Sequence, residues 1–343
     1  MSGKLEEVRI GDMGKRRLRE ILRELRGKRV LVVGDVGVDR YTHGVVERIS
    51  PEAPVPIVLV EHEQHKLGLA ANVADNLKVL GGEPLLVGVV GRDRGAQDFR
   101  KLLRSSGIAP AHLIEDPARR TVLKERIVSD RQQLLRVDYE SLGPVGPLTN
   151  RKVLTLVARL MARADAVIVE DYAKGLLDRA AFAQIYRLAK RAGKIAATDP
   201  NAKTPATHYR GAWVLTPNTR EAEALAGFRI RDASTLLRAG KVMLDATSAR
   251  HVVVTRGKEG MAIFSRGVQG ARLIPTYARE VYDVSGAGDT VIAVLTLALS
   301  AGASIVEAAV LGNVAAGIEV AKRGTATVAS EEILQELDRH FEI

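Results

Sequence analysis

The chain contains no cysteine, which excludes disulfides, thiolate catalysis and cysteine-ligated zinc. Aromatic residues make up only 4%, and no basic stretch is interleaved with stacking side chains. Single-stranded nucleic acid, held by bases stacked on aromatic rings, is therefore a poor fit. No run approaches the roughly 18–20 uncharged apolar residues of a membrane span, and the strongest candidate, 291–303, is too short. The N-terminus is charged from Lys4 onward and offers no apolar signal-peptide core. A cytoplasmic protein with no membrane or nucleic-acid partner is the expectation. Two phosphate-binding devices are missing as well. Gly-Lys pairs occur, but none is followed by Ser or Thr, so there is no P-loop. The dinucleotide fingerprint fails because Gly286-x-Gly288 is followed by Val291 where a third small residue is needed. The histidines are scattered and form no metal-ligand set.

What is present fits one large domain. The 343 residues are 46% apolar and 27% charged, which is ordinary for a globular protein. The net charge of +10 admits nucleic acid, an anionic substrate or a solvated surface. The densest basic segment, Lys15-Arg16-Arg17-Leu18-Arg19, is followed by Glu20 and Glu24 at helical spacing. That pattern predicts a solvated amphipathic helix within an N-terminal helical extension, 1–28. The apolar, β-branched run Arg29-Val30-Leu31-Val32-Val33-Gly34-Asp35 then reads as a strand buried on both faces of a parallel sheet. Further strands are predicted at 84–90, 166–170, 194–198, 212–215 and 251–255, with a hairpin partner at 261–264. Helices are predicted at 70–80, 96–106, 151–163, 178–192, 219–226, 233–246, 290–301, 305–321 and 331–341. Such alternation argues for an α/β, doubly wound, mostly parallel sheet spanning 29–343. Two excursions interrupt it, at about 41–66 and 119–138. The first holds the run Ser50-Pro51-Glu52-Ala53-Pro54-Val55-Pro56, whose prolines forbid a helix or a central strand. The second has Ser129-Asp130-Arg131 as a turn between strand-like runs. Together they predict a small β lid over a cleft.

The chain is organised around Asp283-Val284-Ser285-Gly286-Ala287-Gly288-Asp289-Thr290, which runs into an apolar helix. Small residues there expose the N–H groups of Gly286, Ala287 and Gly288 at a helix N-terminus, a ready anion cradle. Asp289 would stand on the first turn, where a carboxylate stays ionised. An anion cradle beside a carboxylate base suits phosphoryl transfer to an alcohol. The blander role for Ser285 or Asp289 is a helix cap. Asp35, Asp171, Asp199, Asn218 and Thr255 each fall at or just after a predicted strand's C-terminal end, where open α/β sheets bind ligands. That rim suggests a polyol together with a metal-bound phosphate. Asn218 and Glu221 have capping-box spacing, and could equally position hydrated Mg²⁺ and nucleotide phosphates.

These residues resemble the ribokinase-like (PfkB) sugar kinases. Asp283 to Thr290 is similar to their C-terminal signature, and Gly68 to Asn76 to their N-terminal one. The likeness extends over about 29–335 and is strongest to the family's heptose 7-phosphate kinase branch. That match rests on Gly34-Asp35-Val36, Asp39-Arg40-Tyr41, the run from Arg48 to Pro56, Gln132-Gln133-Leu134 with Arg136 and Asp138, Asp171-Tyr172-Ala173-Lys174-Gly175, and Leu215-Thr216-Pro217-Asn218. The resemblance implies ATP-dependent phosphorylation of the 1-hydroxyl of heptose 7-phosphate, a step toward ADP-heptose for lipopolysaccharide or other surface glycans. The alternative is another sugar, sugar phosphate or nucleoside. It implies Asp289 as base, with Gly286, Ala287 and Gly288 as the anion hole. Asn218, Thr219, Arg220 and Glu221 would hold ATP and Mg²⁺, with Thr255, Gly257, Gly260 and Asn313 along the nucleotide. Asp35, Asp39, Gly68, Asn72, Asp171 and Lys174 would face the sugar, and Lys174 or Arg136 its phosphate. It leaves a monovalent cation requirement open. It further implies a homodimer through the lid and a separate nucleotidyltransferase downstream. One departure stands out: Leu69 occupies the place of the family's second glycine.

Overall fold

The computed structural model describes residues 4–129, 132–278, 280–322 and 326–341. The first part of the chain forms β1 (Leu5–Glu7), α1 (Lys15–Glu24), β2 (Arg29–Gly34), β3 (Val36–Ile49), β4 (Pro56–Leu69), α2 (Ala70–Val79), β5 (Glu83–Val90), α3 (Arg94–Ser105), β6 (Leu113–Glu115), β7 (Val122–Ser129) and β8 (Gln132–Tyr139). The second part forms α4 (Pro147–Met161), β9 (Ala166–Glu170), α5 (Arg179–Arg191), β10 (Ile195–Asp199), β11 (Val214–Leu215), α6 (Thr219–Ala226), α7 (Ala233–Thr247), β12 (His251–Thr255), β13 (Met261–Ser265), β14 (Ala271–Ile274), α8 (Ala287–Ser300), α9 (Ile305–Glu319) and α10 (Ser330–Phe341).

The large sheet runs β1-β14-β13-β12-β11-β10-β9-β2-β5-β6. Every pair from β12 to β6 is parallel, and β13 runs against both its neighbours. Central strand β2 behaves as its composition requires. Val30 and Val32 enter the core under α1, α2, α3, α8, α9 and α10, while Leu31 and Val33 enter the core under α4 to α7. Period-two alternation therefore feeds two cores from one strand.

The N-terminal segment is not helix alone. Leu5–Glu7 adds a parallel edge strand to β14. In α1, Leu18, Ile21 and Leu22 are buried, and Lys15 and Arg19 reach Asp338 of α10 at 3.3 and 2.7 Å. The basic cluster is thus partly consumed in docking α1 onto the body.

The lid is a separate four-stranded sheet, β4-β3-β7-β8. Its first hairpin is longer than the sequence suggested, because β3 starts at Val36, directly after Asp35. The prolines fall where their chemistry allows: Pro51 and Pro54 in the connection, Pro56 at the start of edge strand β4. Of the expected turn in the second hairpin, Asp130 and Arg131 lie outside the described residues.

Leu69 joins lid strand β4 to α2 with φ 58 and ψ −140, a conformation that favours glycine. The leucine keeps that strained backbone, and its side chain is buried. Removing the side chain costs packing, but only glycine also relieves the strain. Leu69→Gly is therefore expected to destabilise less than Leu69→Ala, by about 1–2 kcal/mol, reversing the usual order. Paired thermal or urea melts check it; alanine proving the milder substitution would show that the backbone there is unstrained.

Candidate active site

Strand register builds the centre of the site. Glu170 ends β9 and Asp199 ends β10, directly opposite each other in the parallel ladder. Each lies two residues beyond a core residue, Ile168 and Ala197, that faces the α8 side of the sheet. Both carboxylates therefore project to that side, where Asp289 arrives on the first turn of α8. One oxygen from each of Glu170, Asp199 and Asp289 lies within 4.8 Å of the others. Burial is the first cause pushing the Glu170 and Asp199 carboxyls well above the usual range, and mutual repulsion adds to it. Asp199 was among the strand-end residues singled out from sequence. Glu170 was not, because it sits inside an apolar strand run beside the more obvious Asp171.

Asp289 does not cap its helix. Its carboxylate accepts from Asn72 Nδ2 at 2.7 Å and from Tyr172 Oη at 3.0 Å. Burial pushes its pKa up to about 6, and the two donors hold it from rising further. The helix terminus alone would have kept it low, so desolvation wins here. Gly286 precedes α8 with φ 101, a left-handed conformation suited to glycine. The Ala287 N–H leans toward Val284 O at a long 3.4 Å, and those of the following first-turn residues have no intrahelical acceptor. Unpaired N–H groups thus stand beside the carboxylate.

A buried amide ladder fixes this arrangement. Asn76 Nδ2 donates to Asn72 O at 3.0 Å, and Thr290 Oγ1 donates to Asn76 Oδ1 at 3.1 Å. The ladder locks α2 to α8, so Asn72 arrives as a support for Asp289 as well as a cleft residue. Tyr172, the other donor, was quoted within a motif but given no role by sequence reasoning.

The other expected site residues divide into those left facing the cleft and those used internally. Asn218 and Glu221 form the complete capping box, with Glu221 N–H to Asn218 Oδ1 at 3.0 Å and Asn218 N–H to Glu221 Oε2 at 2.9 Å. The bland role is real, and it leaves Glu221 Oε1 and Asn218 Nδ2 for other work. Burial raises the Glu221 carboxyl too, and Glu221 in turn adds to the field on Glu170 and Asp199. Thr255 bridges to Asn218 in parallel register, and Thr219 and Arg220 follow on the first turn of α6. Gly257 and Gly260 form the tight connection to β13.

Among the residues expected to face the sugar, Asp35 is buried, accepts the Lys174 N–H at 3.2 Å, and is pushed up to about 6 chiefly by burial. Asp39 Oδ1 accepts from Arg126 Nη1 at 2.7 Å. A Cβ on Gly68 would stand 2.8 Å from Asp39 Oδ2, so glycine there keeps room for the carboxylate.

Four expected ligand residues are committed to internal bonds. Asp171 accepts from Tyr209 Oη at 2.7 Å and from the Ala173 N–H at 2.8 Å, so it braces the turn that presents Tyr172. Asn313 donates to Pro275 O at 2.6 Å, tying α9 to the end of β14. The Lys174 ammonium is held by Glu140. Arg136 pairs with Asp138 at 2.9 Å in a half-exposed position. Arg119, which the sequence did not flag, donates to the carbonyls of Ser141, Gly143 and Lys174 and holds three loops together.

The carboxylate cluster fits a hard divalent cation. Glu170 Oε1 is buried without a hydrogen-bond partner and converges with Asp199, and a pair of carboxylates with room for water is what Mg²⁺ usually takes from protein.

The architecture is a ribokinase-like α/β fold. It superposes on Arabidopsis thaliana ribokinase complexed with ribose and ATP with a TM-score of 0.73, at 20% identity, covering 91% of this chain and 99% of that one. Escherichia coli phosphofructokinase-2 in complex with potassium gives 0.75, at 16% identity, covering 92% and 100%. The model of the pfkB family carbohydrate kinases matches residues 28–332, and the chain belongs to that family. It is 42% identical over 320 residues to the bifunctional protein HldE of Paramagnetospirillum magneticum, which spans 93% of this chain and 65% of that protein. HldE of Geobacter sulfurreducens is 43% identical over 307 residues, or 90% and 62%. The chain spans a little under two thirds of the length of these relatives. It is a carbohydrate kinase, a phosphotransferase with an alcohol acceptor. Among the described residues, no helix is long and apolar enough to cross a membrane.

Proposed function

We propose that this kinase uses ATP and Mg²⁺ to phosphorylate the 1-hydroxyl of D-glycero-β-D-manno-heptose 7-phosphate. The observation that carries the chemistry is Asp289, held by Asn72 and Tyr172 beside the open N-terminus of α8. The sugar assignment draws on the identity to HldE proteins and on the proline-rich lid run, Arg48 to Pro56.

In this reading Asp289 takes the proton from the attacking hydroxyl as the γ-phosphoryl transfers. The N–H groups of Gly286, Ala287 and Gly288 hold the oxygens on which charge develops. Asn218, Thr219, Arg220, Glu221, Thr255, Gly257 and Gly260 hold the nucleotide, while Asn313 supports its pocket through Pro275. Mg²⁺, when bound, neutralises phosphate charge. Glu221 and Asn218 would hold it partly through water, and Glu170 and Asp199 extend that set. Asp35 and Asp39 Oδ2 face sugar hydroxyls. A monovalent cation also suits the electrostatics near Glu319. Its carboxyl is pushed up to about 8, mainly by burial and further by Asp283 and Asp289. Closure of the lid would exclude water and limit ATP hydrolysis. The lid end exposes Ile49 (60%), Leu59 (63%), Val60 (52%) and Leu135 (55%), which supports a homodimer through the lid. The product would then pass to a nucleotidyltransferase activity, and all of this is placed in the cytoplasm.

A panel of sugars assayed for ADP release tests the assignment. Heptose 7-phosphate should be used with a kcat/KM at least about tenfold above fructose 6-phosphate, ribose or a nucleoside, a gap worth ~1.4 kcal/mol. Turnover on ribose or fructose 6-phosphate but not heptose 7-phosphate would sink it.

A further inference from the structure

The inner face of the lid carries an ordered array of charge. Asp39 on β3 stands in register with Lys66 on β4 and Lys124 on β7, and Lys124 with Asp138 on β8. Residues in register share a face of the sheet, so these four side chains form one transverse row. Two residues along, the next row on that face is Gln64, Tyr41, Arg126 and Arg136. This face looks toward the catalytic carboxylate, because Asp39 and Lys124 both act electrostatically on Asp289, in opposite senses.

Most of these charges are matched inside the array. Arg126 pairs with Asp39 and lies over the Tyr41 ring at 5.2 Å. The Lys66 ammonium also lies over the Tyr41 ring, at 5.6 Å from its centroid. Arg136 pairs with Asp138. Lys124 differs from its neighbours. Among the described residues it makes no hydrogen bond and no ion pair within 4 Å, although it is only partly exposed. Burial holds its ammonium below the usual lysine range, with Lys174 and Arg126 adding repulsion against the pull of Asp39 and Asp138. A half-buried cation without its anion is costly. Lys124 thus holds positive charge without an anion in contact, on the face that acts on the base.

We propose that Lys124 receives the phosphate ester that the sugar already carries, so that the lid's inner face selects sugar phosphates over free sugars. This rests on the sugar-kinase reading above. It moves the phosphate contact away from Lys174 and Arg136, whose cationic groups are taken by Glu140 and Asp138. With one end of the sugar at Asp289, a phosphate at the other end would be held by lid residues. Docking of the correct substrate would then also draw the lid shut.

The test compares one sugar with and without its phosphate ester, using wild type and Lys124→Met, which keeps the apolar stem. Heptose 7-phosphate against heptose is the first pair, and fructose 6-phosphate against fructose the second. The variant should lose about tenfold to hundredfold in kcat/KM on the phosphorylated sugar, mostly through KM. The free sugar's kcat/KM and the KM for ATP should stay within about twofold. Lys124→Arg should recover part of the loss. A Lys124→Gln variant serves the same comparison if the methionine variant melts early. Equal losses on both members of a pair, or no loss on either, overturn the subsite. So does a wild type that uses free and phosphorylated sugar equally well. A wild type that strongly prefers fructose 6-phosphate to heptose 7-phosphate refutes the heptose assignment instead. In that case the fructose pair decides on Lys124.

Discussion

Asp289→Asn is expected to lower kcat by about 10²–10⁴ while leaving the protein folded. The substitution keeps the shape of the side chain and removes its ability to take a proton. One of its two supporting donors, Asn72 or Tyr172, loses a good acceptor, which costs ~1 kcal/mol. Against that, one negative charge leaves a cluster in which Glu170 and Asp199 lie within 4.8 Å. The melting temperature should therefore stay level or rise even as turnover collapses. The check is ADP release alongside a thermal melt. A folded variant within about threefold of wild-type turnover would show that Asp289 is not the base, since that ratio is under 1 kcal/mol of barrier.

A companion variant reads the same residue through pH. Burial holds the Asp289 carboxyl at about 6, and the Tyr172 hydroxyl opposes that rise by donating to the ionised form. Tyr172→Phe removes the donor, so the acid limb of the kcat/KM profile should move up from about 6. Activity at pH 6 should then fall more than activity at pH 8. An unmoved acid limb would mean that the phenol supports only the fold.

The fold was legible because its parallel strands are buried on both faces and read as apolar runs, as Val30 to Val33 and Ala166 to Val169 do. Elements with weaker patterns were not: β1 and β6 are three residues each, and β1 lies in a segment whose charge periodicity is helical. The start of α8 and the place of Asp289 on its first turn were legible because small residues before a long apolar helix have few other uses. Glu170 was hidden by its own strand, since only the register with β10 reveals that it meets Asp199. The opposite failure befell Asp171 and Asn313. Polar residues at a strand end or on a buried helix look like ligands, and only their partners, Tyr209 and Pro275, show that they brace loops. Lys124 needed the lid's pairing, because nothing local separates it from other exposed-looking lysines.

The ligand-free protein is expected to lose stability as pH rises from about 5 to 8, and Mg²⁺ to restore it. Glu170 and Asp199 are held well above the usual carboxylate range, Asp35 and Asp289 at about 6, and Glu319 at about 8, with burial the first cause in each. Above the unfolded carboxylate pKa the folded state thus retains protons that the unfolded chain has lost. Stability must then fall with rising pH until these groups are ionised in the folded state too. Asp35 alone, moved from 3.8 to about 6, contributes roughly 3 kcal/mol over the whole titration, of which about half falls between pH 5 and 8. Carboxyls held low, such as Glu125 beside Arg40 and Thr42 or Asp338 beside Arg19, work the other way, but they are already ionised in both states by pH 5. The raised set therefore decides the slope in this window. Melts in chelator at pH 5 and pH 8 should show the lower temperature at pH 8. Millimolar Mg²⁺ should raise it there and do little at pH 5, where protons already neutralise the cluster. Glu170→Gln removes a deeply buried carboxyl from the cluster, so it should raise the pH 8 melt in chelator and shrink the Mg²⁺ response. A wild-type melt that is flat across this range and indifferent to Mg²⁺ would mean that the three carboxylates are not a cation site. The role of Glu170 would then be confined to packing beneath the cleft.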